Sequence, residues 1–334
     1  MSGKRWLISV ALTVCHVSGQ GSSPNERISA RCAELNQIVI AQIASGELSN
    51  AEASLSVAAV GLVTSSEHTC EGLILSNMAA VMSITGRFEE AEQFAERSIR
   101  ILAKDYSSND LALLRPLHIL AGAQLEQGNI GKARATLNRM RSIQSERPED
   151  RELVHGMAAA QLQAEGKLTE AEPEYLATLG ALEEAGQGSG ADAGAVLTGL
   201  GSLYIEERRL DEARQALDRG LGIFVRAKDS APMDRIKLLN LRAVLHVRQG
   251  EWLDAERDLS NAVSMAERES QENSGAFVSL LTNYARVLRR NHHRREARTI
   301  EGRAAVLDAK RAKDGVVDVS ELFVKSSQPK TSKH

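Results

Sequence analysis

Aromatic residues are scarce in this chain of 334 residues: two Trp, four Tyr and five Phe amount to 3% of it. That is too few for the stacking platforms that hold single-stranded nucleic acid. Proline, with six residues, and cysteine, with three, are equally sparse. Runs of β-branched residues punctuated by turn residues are also rare, which argues against strands. A charge excess is missing too. The 41 Lys and Arg stand against 44 Asp and Glu, a formal net charge of −3, so nothing draws the whole chain to nucleic acid or an anionic membrane. No apolar run approaches the ~20 residues that a bilayer span needs. Walker loop, Rossmann glycine fingerprint, His-Glu-x-x-His pair and EF-hand loop are all absent, so no catalytic activity, cofactor or metal is expected. What is abundant is aliphatic. With 43% hydrophobic residues, a chain of this length buries sizeable cores, and the fold class expected is all-α.

The amino terminus has the layout of a secretory signal. Lys4 and Arg5 precede an apolar run from Trp6 to Val17, and Val17-Ser18-Gly19 offers a cleavage site before Gln20. Residues 1–19 are therefore expected to be a signal peptide and 20–27 a linker. Lipidation at Cys15 is disfavoured, because Val14 stands where a small residue is wanted. The competing reading is an uncleaved, amphipathic first helix of a cytosolic protein; the run lacks a 3.6-residue period, which favours export.

One pattern recurs seven times: a glycine or polar residue, an apolar residue two positions on, and an alanine five positions on. The alanines are Ala51, Ala91, Ala133, Ala171, Ala213, Ala255 and Ala297, spaced 40, 42, 38, 42, 42 and 42 residues apart. Twelve residues before each lies Val39, Ala79, Ala121, Ala159, Gly201, Ala243 or Ala285; sixteen before lies a Leu in every unit but one, where it is His155. Two small residues facing each other across a glycine turn describe antiparallel helices in close contact, because axes approach to about 8 Å only where side chains are short. A continuous coiled coil is excluded by the glycines that break any heptad.

On these residues the chain resembles a tetratricopeptide-repeat (TPR) protein, of the kinesin-light-chain variety by its 42-residue period. The resemblance spans residues 28–312 and implies a right-handed α-solenoid of about seven helix pairs. The seventh unit departs from the pattern, with His292 for glycine and Arg294 for the apolar residue. Residues 313–334 form a tail; its last ten residues are disordered by composition, while Val316–Val324 is apolar enough to dock on the last helices or to remain free.

The resemblance also implies where a ligand lies, namely along the groove face of the first helices. In the middle units that face maps onto His118, Ile119, Gly122, Leu125, Gly156 and Met157, followed by Ala160, Thr198, Gly199 and Ser202, a neutral surface. In the last two it maps onto Lys237, Asn240, Arg248, Asn283, Arg286, Arg289 and Arg290, a basic one. From Arg286 onward 13 Lys and Arg face 6 Asp and Glu, a surplus of +7 that leaves −10 for the remainder. An acidic peptide or a carboxylate suits such a face, and a solvated helix surface is the rival reading. Asn77 and Asn283 stand where the family often holds a peptide backbone. The family's carboxylate clamp is incomplete, since Leu241 occupies the position of its arginine. Cys32 and Cys70 fall near the start of the first helices of adjacent units, which places them for a disulfide, the other reading being two free thiols. His292-His293 reads as a solvated turn with no third metal ligand at suitable spacing. The expected partner is a protein or peptide, with no nucleic acid and no stable membrane span. The expected role is a non-enzymatic scaffold in an exported, periplasmic or secreted location, the alternative being a cytoplasmic sensor or regulatory module.

Overall fold

The computed structural model describes residues 30–44, 47–62, 68–226, 232–268 and 275–314. The apolar amino-terminal run, the linker and residues 315–334 of the tail lie outside them. The described residues contain fourteen α-helices and no strand. Contacts divide the chain into two compact units, Met1–Leu245 and His246–His334.

The first unit holds α1 (Ala30–Ala44), α2 (Leu48–Leu62), α3 (His68–Ile84), α4 (Phe88–Leu102), α5 (Leu114–Glu126), α6 (Ile130–Ser142), α7 (Pro148–Ala164), α8 (Leu168–Glu184), α9 (Ala191–Glu206) and α10 (Leu210–Arg226). It also takes most of α11 (Pro232–Gln249); the second unit holds α12 (Trp252–Arg268), α13 (Gly275–Arg290) and α14 (Arg294–Asp314). Odd-numbered helices are the first members of pairs and even-numbered helices the second. All seven register alanines are fully buried, at 0% exposure, as are Ala79, Ala121 and Ala159. At Gly201 the reason is explicit: a Cβ would lie 2.5 Å from the Leu217 side chain of α10. The close crossing inferred from small residues is therefore the packing that forms.

From α3–α4 onward, each pair is joined by a turn whose pivotal residue is left-handed. Gly86, Gly128, Gly166 and Gly250 have φ between 76° and 81°, where glycine has no Cβ to clash. At the same register stand Arg208, φ 63°, and His292, φ 67°. These two keep the geometry of the turn without the residue that makes it easy.

Neighbouring pairs are latched by charge. The residue after a register alanine meets the turn of the following pair. Glu52 accepts from Arg87 at 2.8 Å, Glu92 from Gln127 at 2.9 Å and Lys132 at 3.1 Å, and Glu172 from Arg209 at 2.7 Å. Between the third and fourth pairs the polarity is inverted: Arg134 reaches Glu165 at 2.8 Å. Burial would raise the Glu165 carboxyl, but hydrogen bonds from Gln161, Lys167 and Arg134 hold it down to about 2. In the second unit Glu256 accepts from Asn291 at 2.5 Å and pairs with His293 at 3.0 Å.

Cys32 of α1 and Cys70 of α3 are joined by a disulfide, with Cα atoms 6.0 Å apart, inside a core of Val39, Ile43, Leu55 and Ile74. No helix among the described residues is long and apolar enough to cross a membrane.

Candidate functional site

The helix register assigns one stripe of each first helix to the face turned away from its own partner helix. How open that stripe is changes along the first unit. On α9 it comprises Asp192, Ala195, Gly199, Ser202 and Glu206, spaced three and four apart on one face, and all five are half-buried. On α11 it continues with Asp234, Lys237, Leu241 and Val244, also half-buried.

The same stripe on α3, α5 and α7 is closed, which corrects the neutral groove expected there. Ile119 and Met157 are 1% exposed and belong to one core cluster with Ala80, Leu120 and Ala160. His118 and Leu125 are buried as well, and burial beside Arg115 depresses the His118 imidazole to about 4. Asn77 is 3% exposed and donates to Asn36 Oδ1 at 2.5 Å, so its amide is engaged inside the protein and is not presented to a ligand. The physical reason is that α3, α5 and α7 pack side by side, and the groove positions become the seam between them.

On α9 the floor is polar and built. Gly199 lies on the Tyr175 ring of α8, so close that a Cβ would stand 2.6 Å from its Cε1. The Tyr175 hydroxyl donates to Gln163 Oε1 at 2.7 Å, and Gln163 Nε2 donates to Ser202 Oγ at 3.4 Å and Glu206 Oε1 at 3.1 Å. Burial, with the Glu206 charge behind it, pushes the Tyr175 phenol up, so it stays a donor. Gly199 was legible as small; the tyrosine beneath it was not. On α11, Lys237 is drawn to Asp234 at 3.3 Å, and Asn240 is half-buried on the adjacent face.

In the second unit, the three arginines read as one face serve separate ends. Arg289 makes a two-pronged pair with Glu301 of α14, which corrects its placement on a free stripe. The cause is Glu301, which stands at the register position held by buried Leu259 in α12. Arg290 lies over the Trp252 ring, 5.2 Å from its centroid. Arg286 is exposed, as is Arg248, and Asn283 is half-buried.

Among the described residues, one group has ligand atoms close enough together for a metal ion: His246, Glu251 and Asp254. They are already engaged, His246 Nδ1 with Glu251 at 2.6 Å, His246 Nε2 with Asp258 at 3.6 Å and Asp254 with Arg257 at 2.9 Å. That arrangement is an ion-pair network at the head of α12.

Residues 71–146 match the tetratricopeptide repeat family by sequence. No curated protein shows significant sequence similarity to the chain. Among solved structures, a Rap protein complexed with competence and sporulation factor is similar, with TM-score 0.63 and 17% identity over 84% of this chain and 76% of that one. NprR in complex with its cognate peptide NprX gives TM-score 0.62 and 12% identity, covering 92% of this chain and 84% of that one. BtubC (BKLC) from P. vanneervenii gives TM-score 0.53 and 17% identity, covering 74% of this chain and 96% of that one. At such identities the likeness is one of fold. Residues 71–146 thus carry the tetratricopeptide repeat by sequence, and the described helix pairs, with their buried register alanines, share its fold.

Proposed function

We propose that this protein is a non-enzymatic scaffold that binds a peptide, or an extended segment of a partner protein, on the open face of α9 and α11. The observation that carries the reading is the half-buried stripe that runs from Ala195 and Ser202 of α9 to Lys237, Leu241 and Val244 of α11, with Gly199 closed over by the Tyr175 ring as its apolar base. Ser202 and Glu206 flank that floor with polar atoms, and Leu241 and Val244 add partly buried apolar surface. Peptide complexes of similarly folded chains, Rap with competence and sporulation factor and NprR with NprX, support this choice of ligand class. In the second unit, Arg286 and Arg248 suit a carboxylate of a bound partner.

The test is direct. Peptides selected on the full chain from a random display library are titrated against Ala195→Arg and Ser202→Arg, which fill the face without entering the core. Loss of at least tenfold in affinity from folded variants is expected; equal affinity for both variants and the parent overturns the reading. Arg286→Glu should weaken capture of acidic peptides at low salt, mainly through the association rate.

We place this scaffold in an exported compartment. The Cys32–Cys70 bond and the apolar run after Lys4 and Arg5 support that location. The rival is a cytoplasmic regulatory module. Mass spectrometry of the native amino terminus separates them, since export removes the leading residues.

A further inference from the structure

One face of α14 is uncovered among the described residues. Ala305, eight positions after the register Ala297, is exposed, whereas Ile99, Leu179 and Val263 at the same place in α4, α8 and α12 are buried. Asp308, eleven positions after Ala297, is exposed as well, where Leu102, Leu182 and Ala266 are buried. In those three pairs the next first helix, α5, α9 or α13, packs against the second helix. Arg298, at the place from which Glu256 of α12 reaches the following turn, is also exposed.

The sequence beyond α14 keeps the repeat register. Asp150, Asp192 and Asp234 stand in the first turns of α7, α9 and α11 at 42-residue steps, and Asp318 lies two such steps beyond Asp234. One step after the buried Phe277, Leu280 and Leu281 of α13 come Val319, Leu322 and Phe323. These three are spaced for one face of a helix, with Glu321 on the opposite one. We propose that residues 316–324 form the first turns of an eighth first helix and dock on α14, in the place that α13 takes on α12. Pro329, one step after the buried Val287, stops that helix short. So short a segment is not helical alone in water, and its order comes from the contact with α14. Attachment directly after Asp314 gives it an effective concentration of about the millimolar range, which favours it over a second copy of the chain. Stacked repeats need a cap on their terminal face to stay soluble, and half a repeat supplies one here. This role does not depend on any ligand of α9 and α11.

Hydrogen exchange of the full chain, read by mass spectrometry, tests the docking. Amides of residues 316–324 should exchange at least about tenfold more slowly than in the isolated peptide 315–334, and the double variant Leu322→Asp, Phe323→Asp should restore the peptide rate. In that variant, exchange in residues 301–309 of α14 should rise about threefold or more, while circular dichroism shows the other helices retained. Exchange of 316–324 at the peptide rate in the parent chain overturns the proposal. So does a protected tail whose release leaves α14 unchanged, because the tail then rests elsewhere. Protection that disappears on dilution, with a dimer seen by light scattering, overturns it in favour of a second copy on this face.

Discussion

Replacing Glu152 by Gln should make this protein more stable, by an amount that depends steeply on pH. Glu152 has an ordinary carboxyl pKa of 4.5 when exposed and is pushed up to about 8 by burial and by Asp192. A group whose folded pKa is raised contributes stability below its unfolded value and loses it as pH climbs through the folded one. The full shift of about 3.5 units corresponds to about 5 kcal/mol. Linkage places about 1 kcal/mol of the loss below pH 5, about 3 kcal/mol below pH 7, and the whole of it by pH 9. Glutamine keeps the shape and cannot ionise. The Glu152→Gln chain should therefore match the parent near pH 4.5 and exceed it by about 3 kcal/mol at pH 7. Urea unfolding of both chains at pH 5, 7 and 9, followed by circular dichroism, measures the difference. Asp192 titrates in both chains, so its contribution largely cancels in the comparison. A difference that stays constant from pH 5 to 9, or a Gln chain less stable at every pH, would refute the burial argument.

Other perturbations have equally definite outcomes. Arg208→Gly relieves a left-handed turn and should raise the urea midpoint, by about 1 kcal/mol of stability, whereas Gly250→Ala at the equivalent turn should cost about as much. Ala213→Leu should destabilise by about 1 to 3 kcal/mol through overpacking at a fully buried crossing, measured by thermal melting. Reducing the Cys32–Cys70 bond, or replacing both cysteines by Ser, should cost about 4 kcal/mol on the loop-entropy argument, with hydrogen exchange rising first in α1 and α2.

The helix pairs were legible because close packing leaves a mark that cannot be hidden: alanine or glycine wherever two axes cross. Every register alanine is at 0% exposure for that reason. The ligand face was less legible. The register of Ile119 and Met157 reports which way each points relative to its own helix partner, but not how closely neighbouring first helices approach. In the first unit α9 and α11 leave that face more open than α3, α5 and α7 do. Arg289 illustrates a second limit, since its spacing from Arg286 and Arg290 is right for one face, yet the two-pronged pairing offered by Glu301 draws it elsewhere. Glu152 could not be read at all, because its burial arises where separate helices meet and no local pattern announces it.

The charged latches between pairs also determine which stretch of chain can be exchanged. Glu52, Glu92 and Glu172 each expect a donor from the next turn, whereas Arg134 expects the carboxylate of Glu165. A shortened chain that joins one whole helix pair to a later one would set Glu92 against Glu165, two acids at a half-buried seam. Cutting instead just after the register alanines, so that Ala91 runs directly into Arg134, carries every remaining half-latch along with its mate. The unit of inheritance in this array is therefore offset by half a repeat from the unit of architecture: it begins in one second helix and ends at the head of the next. Recombination that respects this offset should leave the latches intact, whereas joining the second pair directly to the fourth at the loops should cost stability at the Glu92–Glu165 seam.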